Sequence, residues 1–347
     1  MKDQTQASWI TSETELRSYI KAPPKTVLQK IQNRIDAATE SWLTKSTMLG
    51  IATTQPDKTL HVSLHARSKD LIGMEQSRVV IRGQAHYQDD EDANNTRVAQ
   101  AGMLVMLPGM DSTIRVNGTI AQENRGEEQH LDVAEVYSHC PKAFLRSGLW
   151  RERPEVPSFS AEEQQGLGVQ SQTFLEQSPF ALLATCSEEG QVDLSPRGDP
   201  PGFVQVIGEN TVWMPDRTGN RIVDSLRNIL SGGHVSLMML IPGSSWGLHI
   251  KGKAKLTSDP NLLKASNVKG KTPKVGMVLE VHQTSLQHCS ALDESQVWNP
   301  NTYVDPNSLL SPGELIVRQM KPEGRLLGLK GKVVDWILNQ DAKRNLY

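Results

Sequence analysis

Leu104-Val-Met-Leu-Pro-Gly-Met-Asp-Ser-Thr-Ile-Arg-Val-Asn-Gly118 returns later in the chain as Met238-Met-Leu-Ile-Pro-Gly-Ser-Ser-Trp-Gly-Leu-His-Ile-Lys-Gly252. An apolar run, a Pro-Gly turn, an alternating strand and a closing glycine recur in the same order. In each copy the first part reads as an apolar strand ending in a turn and the second as an alternating strand. Outward from this pair, Leu49-Gly-Ile-Ala-Thr-Thr54 and Leu60-His-Val-Ser-Leu64 flank a Gln-Pro-Asp-Lys turn. Pro179-Phe-Ala-Leu-Leu-Ala-Thr185 and Gln191-Val-Asp-Leu194 flank a Glu-Glu-Gly turn. Both read as β-hairpins. The segment from Glu135 to Trp150 lies beside that from Glu280 to Trp298, sharing His-Cys and a downstream tryptophan. The chain therefore reads as a tandem duplication with a period of roughly 145 residues, too long for a solenoid.

Further strands are expected at 78–82, 131–137, 210–214, 235–241, 246–252 and 275–281. Helices are expected at 11–16, 25–43, 161–176 and 221–230. Many short strands separated by turns point to an antiparallel barrel in each half. The expected division is residues 1–156, a first barrel with a helical lead-in; 157–305, a second barrel; and 306–347, a helical extension. Arg151-Glu-Arg-Pro-Glu-Val-Pro157 reads as the linker.

Composition excludes several classes of function. The 347 residues suffice for two domains, and 37% hydrophobic with 22% charged residues fits a soluble globular protein. A net charge of −2 gives no electrostatic case for nucleic acid or an anionic membrane. No run approaches the roughly 20 apolar residues of a membrane span. The polar start, Met1-Lys-Asp-Gln-Thr-Gln, has no signal-peptide core, so a cytoplasmic protein is expected. Cys140, Cys186 and Cys289 are too few for a disulfide framework. His139-Cys140 and His288-Cys289 lack the other ligands of a zinc site, so no metal is expected.

Two stretches carry the chemistry: Ser195-Pro-Arg-Gly-Asp-Pro-Pro-Gly-Phe203 and Met214-Pro-Asp-Arg-Thr-Gly-Asn-Arg221. Arg197, Arg217 and Arg221 stand beside glycine-freed backbone and a helix start. Guanidinium groups hold phosphate with charge-assisted bonds, and a helix start adds N–H donors. Gly198 lets backbone approach a ligand closely. The competing reading is ordinary turns with solvated arginines.

These stretches resemble the flavin-binding split-barrel proteins related to pyridoxamine 5′-phosphate oxidase. The match is to a branch marked by S-P-R-G-D-P-P-G-F-V (Ser195 to Val204), D-R-x-G-N-R (Asp216 to Arg221) and D-S-L-x-N-I (Asp224 to Ile229). That branch closes with H-C-x-K-A-x-x-R-S-x-L-W, complete here from His139 to Trp150. The resemblance covers most of residues 10 to 300. It implies a mainly β fold with flanking helices, two tandem split β-barrels forming a pseudo-dimer within one chain, and flavin mononucleotide (FMN) in a cleft between them.

Departures from the family pattern divide unevenly. The first half has lost S-P-R-G around Ser63 to Asp70, although Arg67 lies in that region, and carries acids where D-R-x-G-N-R belongs, at 88–94. The second half has lost the lysine and arginine of the closing motif and gained Asp293 and Glu294. One intact cleft follows, built from Ser195, Arg197, Gly198, Arg217, Asn220 and Arg221 of the second half with Lys142, Arg146 and Ser147 of the first. By analogy Met214, Pro215 and Asp216 line the flavin ring and Trp150 stacks near it. The alternatives are that the closing motif is a structural latch, Met214 to Asp216 ordinary strand-end residues and Trp150 a core residue. Trp246 and His249 read as structural, and His139 and His288 as proton-transfer candidates only in a generic sense. The implied function is an FMN-dependent oxidoreductase acting on an unidentified small molecule, with an electron donor as the other partner and a homodimer of chains as a possible assembly. A non-catalytic flavin carrier or sensor, or a haem-binding split barrel, are the alternatives.

Overall fold

The apolar strands Met48–Thr54 and Phe180–Cys186 are buried almost throughout, and the reason is that each serves two cores. In the second, Ala181 and Leu183 face one core while Phe180, Leu182 and Ala184 face another. In the first, Leu49 and Ile51 face one core while Met48 and Ala52 face the other. Successive strand residues point to opposite faces, so a strand with two buried faces reads as a continuous apolar run. The computed structural model describes residues 8–55, 58–67, 69–75, 78–82, 97–122, 128–151, 155, 158–320 and 327–347. The acidic stretch at 88–94 and most of the linker at 151–157 lie outside these residues.

Each half is an antiparallel sheet wrapped about its own core. In the first half the strand order is Leu60–Ala66, Met48–Thr54, Arg97–Met106, Thr113–Gln122, Glu128–His139, Arg78–Arg82, Ile72–Glu75. In the second it is Val192–Gly198, Phe180–Cys186, His234–Leu240, Trp246–Thr257, Gly276–His288, Thr211–Pro215, Gln205–Gly208. The two orders correspond strand for strand, the arrangement of two split barrels. Both halves also break register at the same glycine: between Asn117 and Gly118, and between Lys251 and Gly252. A Cβ at Gly118 would stand 1.9 Å from the Asp132 carbonyl oxygen, and one at Gly252 2.0 Å from that of Glu280. The recurring glycine is thus a bulge that admits no side chain.

A third core joins the barrels. It takes Met48, Leu60, Val62, Leu64, Leu104 and Met106 from the first and Phe180, Leu182, Leu194, Met238 and Leu240 from the second. The two tryptophans of the closing segments sit at its edge. Trp150 Nε1 donates to Met110 O at 2.8 Å and Trp298 Nε1 to Ser244 O at 2.9 Å, each just past its own Pro-Gly turn. Their ring centroids are 5.8 Å apart.

The ends of the chain do not stay with the neighbouring barrel. Trp9–Ile10 pairs with Trp246–Thr257, and Ile10 and Leu16 enter the core of the second barrel. The helical lead-in of the first half is therefore divided. Its beginning packs on the far barrel, while helix Ala37–Thr44 packs on the near one through Ala38, Trp42 and Leu43. The expected helix at 25–43 is broken: Lys25–Leu28 ends early, and Leu28 is exposed. The expected helix at 161–176 opens instead as the edge strand Glu162–Gln165, and the helix proper is Val169–Gln177. Helix Pro312–Met320 returns to the first barrel, with Leu315 in its core and Gln319 accepting from the Ser138 hydroxyl at 2.8 Å. Among the described residues no helix is long and apolar enough to cross a membrane.

Candidate functional site

The two arginine-bearing motifs are clasped to each other. Arg197 pairs with Asp216 at 2.6 Å, and Arg217 pairs with Asp199 at 2.5 Å. Each motif thus supplies the carboxylate for the other's arginine. Asp199 is almost fully buried, and burial pushes its carboxyl pKa up against the pull of Arg217. The clasp fixes the irregular segment 216–223 over the end of strand Val192–Gly198. Within it, the Asn220 side-chain oxygen accepts from Ile222 N at 2.9 Å. Arg221 has φ +63°, in the left-handed region, and the helix begins only at Asp224. The expected helix at 221–230 therefore starts late, and Arg221 stands on the approach to it rather than in its first turn.

The closing motif of the first barrel reaches this site. Helix Lys142–Ser147 lies across the strand end carrying Ser195 to Gly198. A Cβ at Gly198 would stand 2.1 Å from the Ala143 carbonyl oxygen, so this glycine admits the other barrel's helix. Gly198 lines the cavity as well, so the same position serves both the seam and the site. Arg146 donates from Nε to Gly198 O at 3.1 Å and from Nη1 to Thr218 O at 3.3 Å, touching both motifs. Burial pushes the Arg146 pKa down, with Asp199 opposing.

Beneath them is a buried residue that the sequence reading passed over. Arg115 of the first barrel pairs with Asp193 of the second at 2.6 Å, both nearly inaccessible. Its guanidinium also donates to Tyr137 Oη at 2.7 Å and Ser195 Oγ at 2.5 Å. Asp193 accepts in addition from Ser195 Oγ at 2.8 Å and Ser225 Oγ at 2.6 Å. Arg115 occupies an alternating strand, where a charged residue reads as facing solvent. That face is in fact the seam between barrels. His139 also lines the site, and burial, then Arg115 and Lys30, hold its pKa well below the usual histidine range. It is therefore neutral at neutral pH.

These groups enclose a cavity of about 350 Å³, lined by both barrels and by Tyr19, Ile20 and Lys21 of the lead-in. Of the expected site residues, Ser195, Arg197, Gly198, Pro215, Asp216, Arg217, Asn220, Arg221, Lys142 and Arg146 line it. Met214, Ser147 and Trp150 do not. Met214 belongs to the second barrel's core, because the residue after Trp213 on this strand faces inward. Ser147 donates back into its own helix, to Phe144 O at 3.0 Å. Trp150 packs in the inter-barrel core against Phe144 and Trp298. The lining holds eight basic side chains (Lys21, Arg115, Lys142, Arg146, Arg197, Arg217, Arg221 and Lys274) and Asp216, and three further carboxylates, Asp193, Asp199 and Asp341, pair with Arg115, Arg217 and Lys142 from behind it. Three buried nitrogens in it have no hydrogen-bond partner among the described residues: Arg115 Nε, Arg197 Nε and Asn220 Nδ2. A chain of net charge −2 has here concentrated cations and unmet donors in one cavity. Such a site suits an anionic ligand rich in acceptors.

The opposite cleft is built differently. Pairing register places His61 and His65 where the second barrel has Asp193 and Arg197. It places His249 where the first has Arg115. His249 is half-buried, and its pKa falls to about 3, chiefly by desolvation and then by His61. Counting back from the matched tryptophans, Ser290 and Glu294 replace Lys142 and Arg146. The His-Cys likeness between halves is one residue out of register: Gln287 pairs with Gly247 as His139 pairs with Thr113, so His288 falls one position beyond and is half exposed beside Asp293.

The sequence model of the family described as pyridoxamine 5′-phosphate oxidase matches residues 168–288. No curated protein matches the chain. Among solved structures, a variant of HupZ from Group A Streptococcus is 15% identical over 35% of this chain and 99% of its own, with a TM-score of 0.30. A putative pyridoxamine 5′-phosphate oxidase from Lactobacillus delbrueckii is 17% identical over 34% of this chain and 93% of its own, with a TM-score of 0.28. A FAD-binding protein from Mesorhizobium loti is 14% identical over 36% of this chain and 96% of its own, with a TM-score of 0.25.

Proposed function

We propose, from a second barrel of the pyridoxamine 5′-phosphate oxidase-like split-barrel family, that the chain binds one flavin mononucleotide in the cation-lined cleft and uses it as an oxidoreductase. The observation that carries this reading is the cavity's excess of cations, eight basic residues against four carboxylates in and behind its lining, together with its three unpartnered donors. Arg197, Arg217 and Arg221 would face the phosphate, with Arg146 completing the shell from the other barrel. Charge-assisted bonds of this kind are roughly twice as strong as neutral ones. Arg197 and Arg217 are already oriented by Asp216 and Asp199, so little side-chain freedom remains to be lost on binding.

The flavin supplies two-electron chemistry when bound; the protein supplies position and electrostatics. Pro215 and the lead-in residues Tyr19 and Ile20 narrow the cavity and limit the entry of water. Neutral His139 can accept or donate a hydrogen bond, but its depressed pKa makes it a poor proton donor at neutral pH. One flavin per chain is expected, because the opposite cleft lacks the equivalents of Arg115, Lys142, Arg146 and Arg197.

The test is to purify the chain, record its absorbance, and count flavin released on denaturation. One flavin per chain supports the reading, and two would refute the single-cleft assignment. Steady-state reduction by a nicotinamide nucleotide with turnover on an acceptor supports the oxidoreductase. Bound flavin that is reduced without turnover makes the chain a carrier.

A further inference from the structure

The C-terminal extension ends on the cleft's cations. Helix Leu327–Arg344 crosses helix Pro312–Met320 at a contact of two glycines: a Cβ at Gly313 would stand 2.5 Å from Gly331 O. Gly313 N also donates to Asp335 Oδ1 at 2.7 Å. Because Leu315 and Gln319 tie Pro312–Met320 to the first barrel, the crossing fixes where the chain goes next. It goes to three residues of the cleft's lining, Lys142, Arg146 and Arg217, without itself joining that lining. Asp341 pairs with Lys142 at 2.7 Å, and Lys142 Nζ donates to Asn345 O at 2.8 Å. Arg146 Nη1 donates to Leu346 O at 2.8 Å. The Tyr347 ring lies 5.5 Å from the Arg217 guanidinium and 5.7 Å from Lys269 Nζ.

We propose that residues 341–347 determine which flavin nucleotide the cleft accepts, by walling its phosphate end so that a mononucleotide fits and a dinucleotide does not. This rests on the flavin reading above and deepens it. The adenylate of a flavin dinucleotide is attached through the flavin's own phosphate. It must leave the cleft past the groups that hold that phosphate. Two of those groups, Arg146 and Arg217, carry the tail, and Lys142 beside them anchors it. The tail meets Arg146 with a neutral carbonyl and Arg217 with an aromatic face. At these two arginines it blocks space with uncharged groups, while Asp341 neutralises Lys142 beside them, and a phosphate monoester can still bind both guanidinium groups. A second phosphate and an adenosine would have to displace Leu346 and Tyr347.

The experiment compares equilibrium binding of FMN and FAD to three proteins: the full chain, a chain ending at Gln340, and a full-length chain carrying Asp341→Asn and Tyr347→Ala. The third keeps the helix and guards against misfolding of the second. The full chain is expected to prefer FMN, and in both variants that preference falls by about tenfold or more through tighter FAD binding, a change of about 1.4 kcal/mol. An unchanged preference in variants that still bind FMN overturns the inference and leaves the flavin assignment standing. A full chain that takes FAD as tightly as FMN also overturns it. Binding of neither flavin to any of the three overturns the flavin assignment and this inference together.

Discussion

Replacing Arg115 by methionine removes the charge that joins the two barrels while keeping most of its volume. Asp193 would then be left 3% exposed, with only the hydroxyls of Ser195 and Ser225 to hold it. Breaking one side of a buried pair costs about 3–5 kcal/mol, because the remaining charge is desolvated without compensation. Against a typical stability of about 5–15 kcal/mol, that is a large share. Urea unfolding at neutral pH should show the midpoint falling with the slope unchanged. The double variant Arg115→Met/Asp193→Leu should recover most of the loss, since an apolar pair of similar size is often neutral or stabilising relative to a buried ion pair. Flavin binding should fall in both variants, because Arg115 also places Ser195 at the cleft. A single variant that loses less than about 1 kcal/mol, the level of an exposed pair, would refute the account of Arg115 and Asp193 as a desolvated tie across the seam.

Arg146→Ala should weaken flavin binding by roughly ten- to hundredfold, the worth of one charge-assisted hydrogen bond, as read by fluorescence titration. Gly198→Ala should destabilise the fold and weaken flavin binding together, because the added carbon meets Ala143 O; unchanged thermal stability would show that the helix does not press on this strand. Burial lowers the Lys30 pKa from 10.5 to about 8, so between those values the unfolded chain holds a proton that the folded chain has released. Stability should therefore rise by about 1.4 kcal/mol per unit from about pH 8 to 9, above which the buried Cys289 thiol, raised from 9.0 to about 11, pulls the other way, and the rise should be absent in Lys30→Met. Leu182→Ala, in the core between the barrels, should cost about 2–5 kcal/mol in urea unfolding.

The repeat was legible because its physical constraints recur. Strands buried on two faces write continuous apolar runs, and the bulges at Gly118 and Gly252 tolerate nothing larger, so both signals recur in the two halves. Motif spacing singled out Arg197 and Arg217, while the pairing with Arg146 of the other half came from what the family resemblance implies about a shared cleft. What escaped was set by long-range contact. Arg115 reads as solvent-facing until a second barrel covers it. The reciprocal pairing of Arg197 with Asp216 and Arg217 with Asp199 depends on the path of 216–223, which no local pattern specifies. Helix Leu327–Arg344 was visible as a helical run, but its route to Lys142 and Arg146 follows from the glycine crossing at Gly313. The His-Cys likeness misled because it is one residue out of strand register, which turns a side chain to the other face.

In a two-fold homodimer every substitution appears twice, once in each cleft. Two barrels in one polypeptide are free of that constraint, and here Arg115 and Asp193 on one side stand where His249 and His61 stand on the other. Residues 216–223 can be selected for a ligand while their counterparts in the first half answer to other demands. The covalent connection also makes barrel association independent of protein concentration, so the seam need not hold at dilution. Its affinity can be low where a dimer's would have to be high, leaving charged groups such as Arg115 and Asp193 available for the cleft rather than replaced by a wholly apolar contact.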